Sequence, residues 1–266
     1  MARQCVYCSR PGALSRDHVW PECFLERFGV TVAKFSVKAR RVHGADYVVR
    51  DVCPTCNSGP LSVLDTYFCA MYDDYFHILS DLGSTVVLHY DFDLLARALL
   101  RIAFNSARGA GSETAQLAAV AGYLIGTAPR PAQLAVFAEL VAPTFVDDGQ
   151  GGRRKVFPNM FRSATTQLLT PKGPQILTRI VAINSFFFHI VLPRESMTVE
   201  EFEVAAGELG AAIQGVVRLR PESSDLILKT SPQEGLPSFL PHLEAFRNQY
   251  EKFFAKQKRD RANKRL

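Results

Sequence analysis

Cys5-x-x-Cys8 and Cys53-x-x-Cys56 set four thiols in two tight turns, with residues 9–52 between them. Two such knuckles converge readily, and four thiolates complete a tetrahedron around Zn2+ with no position left for water. A zinc ion held this way has a structural role. Its binding energy is folding energy, on the order of 10 kcal/mol. A rubredoxin-like iron site would use the same ligands, but such sites do not usually carry an Asp-His pair between the knuckles. Here Asp17-His18 lies between them, and Asn57 follows Cys56 directly. A carboxylate and an amide offer hard oxygens suited to Mg2+ or Mn2+, and an imidazole accepts a proton near neutral pH. Each residue alone has a bland reading: a loop acid, a hydrogen-bonding histidine, a helix-capping asparagine. Together they have the layout of metal-assisted phosphodiester hydrolysis.

The elements that must position these residues are short. Asp17 to Pro21 reads as an extended segment ended by the proline, and residues 22–28 as a brief helix stopped by Gly29. Residues 34–52 alternate loosely and predict a hairpin with His43-Gly44-Ala45-Asp46 as its turn. Leu61, Leu64, Phe68, Met71 and Tyr75 recur at helical spacing, so Asn57 falls near a helix start. Residues 92–108 predict an amphipathic helix with Leu95, Leu99, Ile102 and Ala103 as its stripe, Arg97, Arg101 and Arg108 standing off it, and Gly109 as its stop. Residues 113–125 predict another helix. From Gln133 to Leu192 the pattern turns β-like, with segments at 136–137, 156–157, 168–169, 176–183 and 186–192, which predicts a small antiparallel sheet with Phe186-Phe187-Phe188 in a central strand. Thr198-x-x-Glu201 is a capping box for a helix to about Gln214. Short strands follow at 216–220 and 225–230, and a last helix from about Leu240. The fold class is α+β: a module over 1–75, a body of mixed helix and antiparallel sheet over 76–240, and a basic helical tail over 241–266.

Composition narrows the class. The chain has 266 residues and ordinary apolar, Gly and Pro content, so it is globular. No apolar run reaches the length of a membrane span, and Met-Ala-Arg-Gln-Cys carries no apolar signal region. The reading is a cytoplasmic protein without a membrane partner. In a reducing compartment the knuckles indicate metal rather than disulfides, and Cys23 and Cys69, among apolar neighbours, read as small core residues. The net charge of +5 is uneven. Residues 1–60 carry nine Lys/Arg against five Asp/Glu, and residues 245–266 carry eight against two, so the ends hold +4 and +6 and the middle holds −5. Basic ends on an acidic body suit a polyanionic partner.

Cys-x-x-Cys, then Asp17-His18-Val19-Trp20-Pro21, then Val52-Cys53-Pro54-Thr55-Cys56-Asn57-Ser58-Gly59 resembles the His-Asn-His (HNH) endonucleases with a ββα-metal active site. The likeness is to the subgroup with four zinc cysteines and an Asp-His…Cys-Asn signature, and it covers roughly residues 1–70. It implies a zinc-stabilised, treble-clef-like ββα module. Cys5, Cys8, Cys53 and Cys56 would hold structural Zn2+, Asp17 and Asn57 a catalytic Mg2+ or Mn2+, and His18 would be the general base. The commonest HNH pattern ends in a metal-binding histidine where this chain has Asn57. The family's middle residue has no firm counterpart; His43 is available in a turn, and Asp65 is either a supporting acid or a helix-surface charge. The implied activity is metal-dependent hydrolysis of DNA, leaving 5′-phosphate and 3′-hydroxyl ends, in phage defence, restriction or mobile-element biology. Arg3, Arg10, Arg16, Lys38, Arg40 and Arg41 would hold flanking phosphates without reading sequence. The body would serve target choice, homodimerisation or binding of a protein partner. Two other classes fit parts of the pattern: a catalytically inactive zinc-knuckle nucleic-acid-binding or adaptor protein, and a nuclease acting on RNA or as a toxin.

The tail generates a test of its own. Lys252, Lys256, Lys258, Arg259, Arg261, Lys264 and Arg265 face only Asp260 and Glu251. In a helix, Lys252, Lys256 and Arg259 would share a face and repel by a few tenths of a kcal/mol per pair, a cost that a phosphate backbone relieves. Deletion of residues 252–266 is expected to weaken DNA binding. It should also flatten the log–log salt dependence by about 0.9 per lost phosphate contact, measured by fluorescence anisotropy across a salt series. An unchanged slope would make the tail an ordinary solvated helix end.

Overall fold

A computed structural model describes residues 3–28, 33–36, 41–44, 48–147, 151–166 and 170–230. The elements in chain order are β1 (Ser15–His18), α1 (Glu22–Phe28), β2 (Ala33–Ser36), β3 (Arg41–Gly44), β4 (Val48–Val52), α2 (Pro54–Cys56) and α3 (Ser62–Met71). Then come β5 (Thr85–His89), α4 (Phe92–Ala110), α5 (Ala115–Ala119), α6 (Ala121–Leu124), β6 (Ala135–Leu140), β7 (Thr144–Asp147), β8 (Arg153–Val156) and β9 (Phe161–Thr166). The last are β10 (Ile176–Ile183), β11 (Phe186–Pro193), α7 (Val199–Ala212), β12 (Val217–Arg218) and β13 (Asp225–Lys229). The architecture is mixed α+β with antiparallel sheets. The tail and the expected helix after Leu240 lie outside the described residues, as do 168–169.

In the amino-terminal part, β1 pairs antiparallel with β4, Asp17 facing Val49 and His18 facing Val48, with an irregularity between Ser15 and Asp17. The hairpin expected over 34–52 is divided differently. β2 pairs with β3, Lys34 opposite His43 and Ala33 opposite Gly44, so His43-Gly44 is strand and not turn. The reason is that β4 is taken by β1, which leaves the intervening residues to pair with each other. After the second knuckle the chain kinks at Gly59, whose backbone angles are not helical, and passes through Pro60 into α3. Leu61, Leu64 and Phe68 are fully buried along it.

Helix α4 is the central element. Asp91 caps its start by accepting from the Leu94 amide at 2.8 Å, an arrangement that satisfies a donor the helix cannot pair internally. It runs through Gly109 and ends at Ala110, because Gly111 at φ 68° adopts the left-handed conformation that closes a helix cheaply. Leu95, Leu99, Ile102 and Ala103 form the expected stripe, but burial extends all round the helix from Ala98 to Ala107. One side meets α3 and β4; the other meets β9, β10 and β11. Arg101, expected at the surface, is therefore 1% exposed. The expected helix over 113–125 is two short ones, α5 and α6, broken at Val120.

The sheet has the order β12-β6-β11-β10-β9. Phe186, Phe188 and Ile190 face the main core, while Val191 packs with Phe202, Ala205 and Leu209 of α7. The Phe186–Phe188 run is core, as the strand reading required. Thr198 and Glu201 form both halves of the capping box of α7. Strand β5, which the sequence reading did not anticipate, pairs with β13; its burial alternates, but an exposed apolar residue, Val87, hides that period in the sequence.

One hydrophobic core runs from Cys5 to Leu228, so the module and the body share an interior. An aromatic cluster crosses between them. Trp20 and Phe24 sit 5.0 and 5.2 Å from Phe161 of β9, and Phe24 sits 5.5 Å from Phe68 of α3. Cys23 and Cys69 are not separate core thiols. They form a disulfide linking α1 to α3, because both helices turn these faces towards each other around Phe24 and Phe68. The knuckle cysteines are free thiols clustered so that they could hold a metal ion, whereas the reading of Cys23 and Cys69 as small core residues gives way to a bond between them. Among the described residues no helix is long and apolar enough to cross a membrane.

The disulfide closes a loop of sequence separation 46. A loop of that size restricts the unfolded chain enough to stabilise the fold by about 2–4 kcal/mol. The Cys23→Ser/Cys69→Ser variant is expected to unfold at correspondingly lower urea, read by circular dichroism, with its zinc content unchanged. An unshifted midpoint would mean the bond is not formed in solution.

Candidate metal centre and the polar cluster beside it

The first knuckle is built by main-chain hydrogen bonds. The Ser9 amide donates to Cys5 O at 2.8 Å and the Cys5 amide to Arg10 O at 3.0 Å, and Ser9 takes a positive φ of 58° to turn the chain. The Val6 amide donates to Asp51 O at 2.9 Å, which ties this knuckle to the end of β4, immediately before Cys53. In the second knuckle the Cys56 amide donates to Cys53 Sγ at 3.4 Å. The four sulfurs of Cys5, Cys8, Cys53 and Cys56 lie within 4.8 Å of one another, and those of Cys8 and Cys53 are 3.7 Å apart. Zn–S bonds of about 2.3 Å in a tetrahedron put sulfurs about 3.8 Å apart. The cluster therefore fits a metal ion and is compatible with structural zinc. Burial pushes the Cys5 thiol up, but the amides of Cys53, Cys8 and Tyr7 outweigh it and bring the thiol down to about 7. Burial and the neighbouring sulfurs push Cys56 upwards, a cost that a bound cation would remove by taking up the thiolate.

Asp17 and His18 are adjacent on β1, so their side chains leave on opposite faces. Asp17 turns inward and is 2% exposed; His18 is half-buried. Both carboxylate oxygens of Asp17 are engaged. Oδ1 accepts from Arg101 Nη2, and Oδ2 accepts from Asn105 Nδ2 at 2.7 Å. The same two side chains also donate to the main-chain carbonyl of His18, Asn105 at 3.1 Å and Arg101 at 3.4 Å. Arg101 Nη1 donates to Asp65. Asn105 Oδ1 accepts from Tyr7 Oη at 2.7 Å and from Arg108, which pairs with Asp51 at 2.5 Å. Asp65 is half-buried and paired with Arg101, so it is not a freely solvated helix-surface charge. Burial pushes its carboxyl up to about 6, with Arg101 opposing and Asp17 adding to the rise. An acid raised in the folded state gives up its proton at higher pH there than in the unfolded chain, so its contribution to stability falls as pH rises from the ordinary 3.8 to about 6.

Asn57 holds β1 from the helical side. Its Nδ2 donates to Arg16 O at 2.8 Å and to Ser15 Oγ at 3.2 Å, clasping β1. The His18 ring makes no hydrogen bond among the described residues. The structure thus brings His18, Asp17 and Asn57 onto one strand–helix unit beside the cysteines. The carboxylate that the resemblance assigns to a divalent ion is committed to Arg101 and Asn105, however. As arranged, Asp17 does not fit such an ion. Arg3, Arg10 and Arg16 are exposed, and Arg41 opens β3. Lys38, Arg40, Lys256, Lys258, Arg259 and Arg261 lie outside the described residues.

Sequence reading missed Arg101, Asn105 and Arg108 as site residues. The available signal was their spacing of four and three along α4, which puts two cations and an amide on one helix face. Comparisons with protein-family models, curated proteins and solved structures returned no match.

Replacement Cys53→Ser removes both a sulfur ligand and the acceptor of the Cys56 amide. Metal analysis is expected to find one zinc per chain in the parent protein and none in this variant, with residues 1–75 becoming protease-sensitive. A variant that retains its metal and its protease resistance would refute a structural zinc.

Proposed function

We propose that the chain is an endonuclease that hydrolyses DNA phosphodiester bonds, as its resemblance to HNH enzymes implies, with Zn2+ held by Cys5, Cys8, Cys53 and Cys56 as a structural ion. The observation that carries this reading is the arrangement of the cysteines, β1, β4 and the helix after Cys56, with Asn57 bonded across to the Arg16 carbonyl on the strand that bears His18. In the proposed reaction His18 takes a proton from water. The water oxygen bonds to phosphorus, the bond to the 3′-oxygen breaks, and that oxygen leaves with a proton from solvent. A free imidazole nitrogen suits this task. Exposed Arg3, Arg10 and Arg16 would draw the phosphate backbone to this face. No step is routed through a divalent ion, since Asp17 does not fit one as placed.

A second reading, the catalytically inactive zinc-knuckle adaptor that binds nucleic acid, is favoured by that same closure of Asp17 by Arg101. Supercoiled plasmid separates the two. The purified chain is expected to nick it, and His18→Ala to slow nicking about 10²-fold or more while zinc content and DNA binding persist. Assays with Mg2+, Mn2+ or EDTA read out ion dependence separately. Plasmid binding without nicking in any of these buffers would leave the adaptor reading in place.

A further inference from the structure

Helix α4 belongs to the body, yet its side chains reach the strand that carries the proposed base. Asn105 is fully buried and Arg101 is 1% exposed, so neither is a surface group resting on the module. Their donors converge on two adjacent residues. Arg101 and Asn105 each bond one oxygen of Asp17, and each also bonds the carbonyl of His18. A strand of four residues pairing with one neighbour has little rigidity of its own. Here the peptide after His18 is held from its inner side by two donors, and the Arg16 carbonyl before Asp17 is held by Asn57. The backbone on both sides of the Asp17-His18 pair is thereby pinned, which sets the direction in which the His18 ring leaves the strand.

Resting on the nuclease reading of that site, we infer that Arg101 and Asn105 are positioning residues for His18, so that the α4-bearing body is part of the catalytic apparatus and not an appendage to it. Arg101 also fills the charge-compensating position beside Asp17 that the resemblance gives to a divalent ion. A guanidinium suits this because two separate nitrogens in a fixed planar fork reach Asp17 and Asp65, a geometry that the single nitrogen of an ammonium lacks.

The test uses the full chain and three variants. Arg101→Lys keeps the charge without the fork. Asn105→Ala removes the two bonds it donates to Asp17 and His18 and the two it accepts from Tyr7 and Arg108, and leaves no new charge. Arg97→Gln is the control, since Arg97 bonds Leu124 O at 2.9 and 3.0 Å on the same helix without touching Asp17 or His18. Zinc content and a cooperative melt establish that each variant folds. Plasmid-cleavage kinetics give kcat and KM. Nuclear magnetic resonance of histidine-labelled protein, with His18 assigned by its loss in His18→Ala, reports the ring directly. Arg101→Lys and Asn105→Ala are expected to lower kcat about ten- to hundred-fold, with KM changed little, since a small misplacement of a reacting group costs on that scale. They should also shift the His18 ring signals. Arg97→Gln should lower the melting temperature and leave kcat and those signals alone. Folded Arg101→Lys and Asn105→Ala variants with parental kcat and unmoved His18 signals would overturn the proposal. If the parent chain cuts no DNA, the nuclease reading fails instead, and the ring signals still decide whether α4 sets the position of His18.

Discussion

A guanidinium removed from water is among the costliest groups a fold can bury, and the Arg101 side chain is 2% exposed between Asp17 and Asp65. Burial is tolerable only where Coulomb attraction and hydrogen bonds replace hydration. Asp17 supplies an equally buried carboxylate, Asp65 a partly exposed one, and Asn105 completes the bonding of Asp17. Removing one member would strand the others, at about 3–5 kcal/mol for a buried pair. That constraint orders much of what surrounds it. It fixes the depth of β1, the rotation of α4, and the side of α3 that faces inward.

The apolar interior follows the same division of labour. The module has strands of four and five residues and helices of three, seven and ten residues, and its buried side chains join those of the body in one core. The cysteine cluster that could hold a metal ion lies at one end of the module, and the Cys23–Cys69 bond ties α1 to α3 at the other. Its apolar residues continue into the body through Trp20, Phe24 and Phe161. Edge-to-face ring pairs of this kind add about 0.5–1.5 kcal/mol each beyond the area they bury. The polar network and the aromatic cluster are therefore two independent attachments between the module and the body, one directional and one not. The directional one lies next to the proposed base.

Much of this was legible in the chain itself. Cys5-x-x-Cys8 and Cys53-x-x-Cys56 announce a metal centre because thiol ligation depends on local turns, which the sequence encodes within four residues. The capping box at Thr198, the stripe of α4 and the strand at 186–192 were equally readable, since helix and strand periodicities are local properties. The turn at His43 was misread because pairing register depends on which strand a segment meets, and β4 had been claimed by β1 from thirty-odd residues upstream.

What only the tertiary structure decided is the environment of charged and reactive groups. Arg101 and Arg108 look like the polar face of an amphipathic helix, and Arg101 is buried and Arg108 half-buried because α4 is covered on both sides, a fact that no window of α4 contains. Cys23 and Cys69 look like core residues and become a bond because α1 and α3 pack with those positions in register. Asp17 looks like an open ligand and is a closed one, since its partners come from residues 101 and 105. The sequence determined which chemical groups this protein brings to the strand bearing His18. The fold determined which of them face water and which face each other, because that depends on long-range packing and not on local propensity.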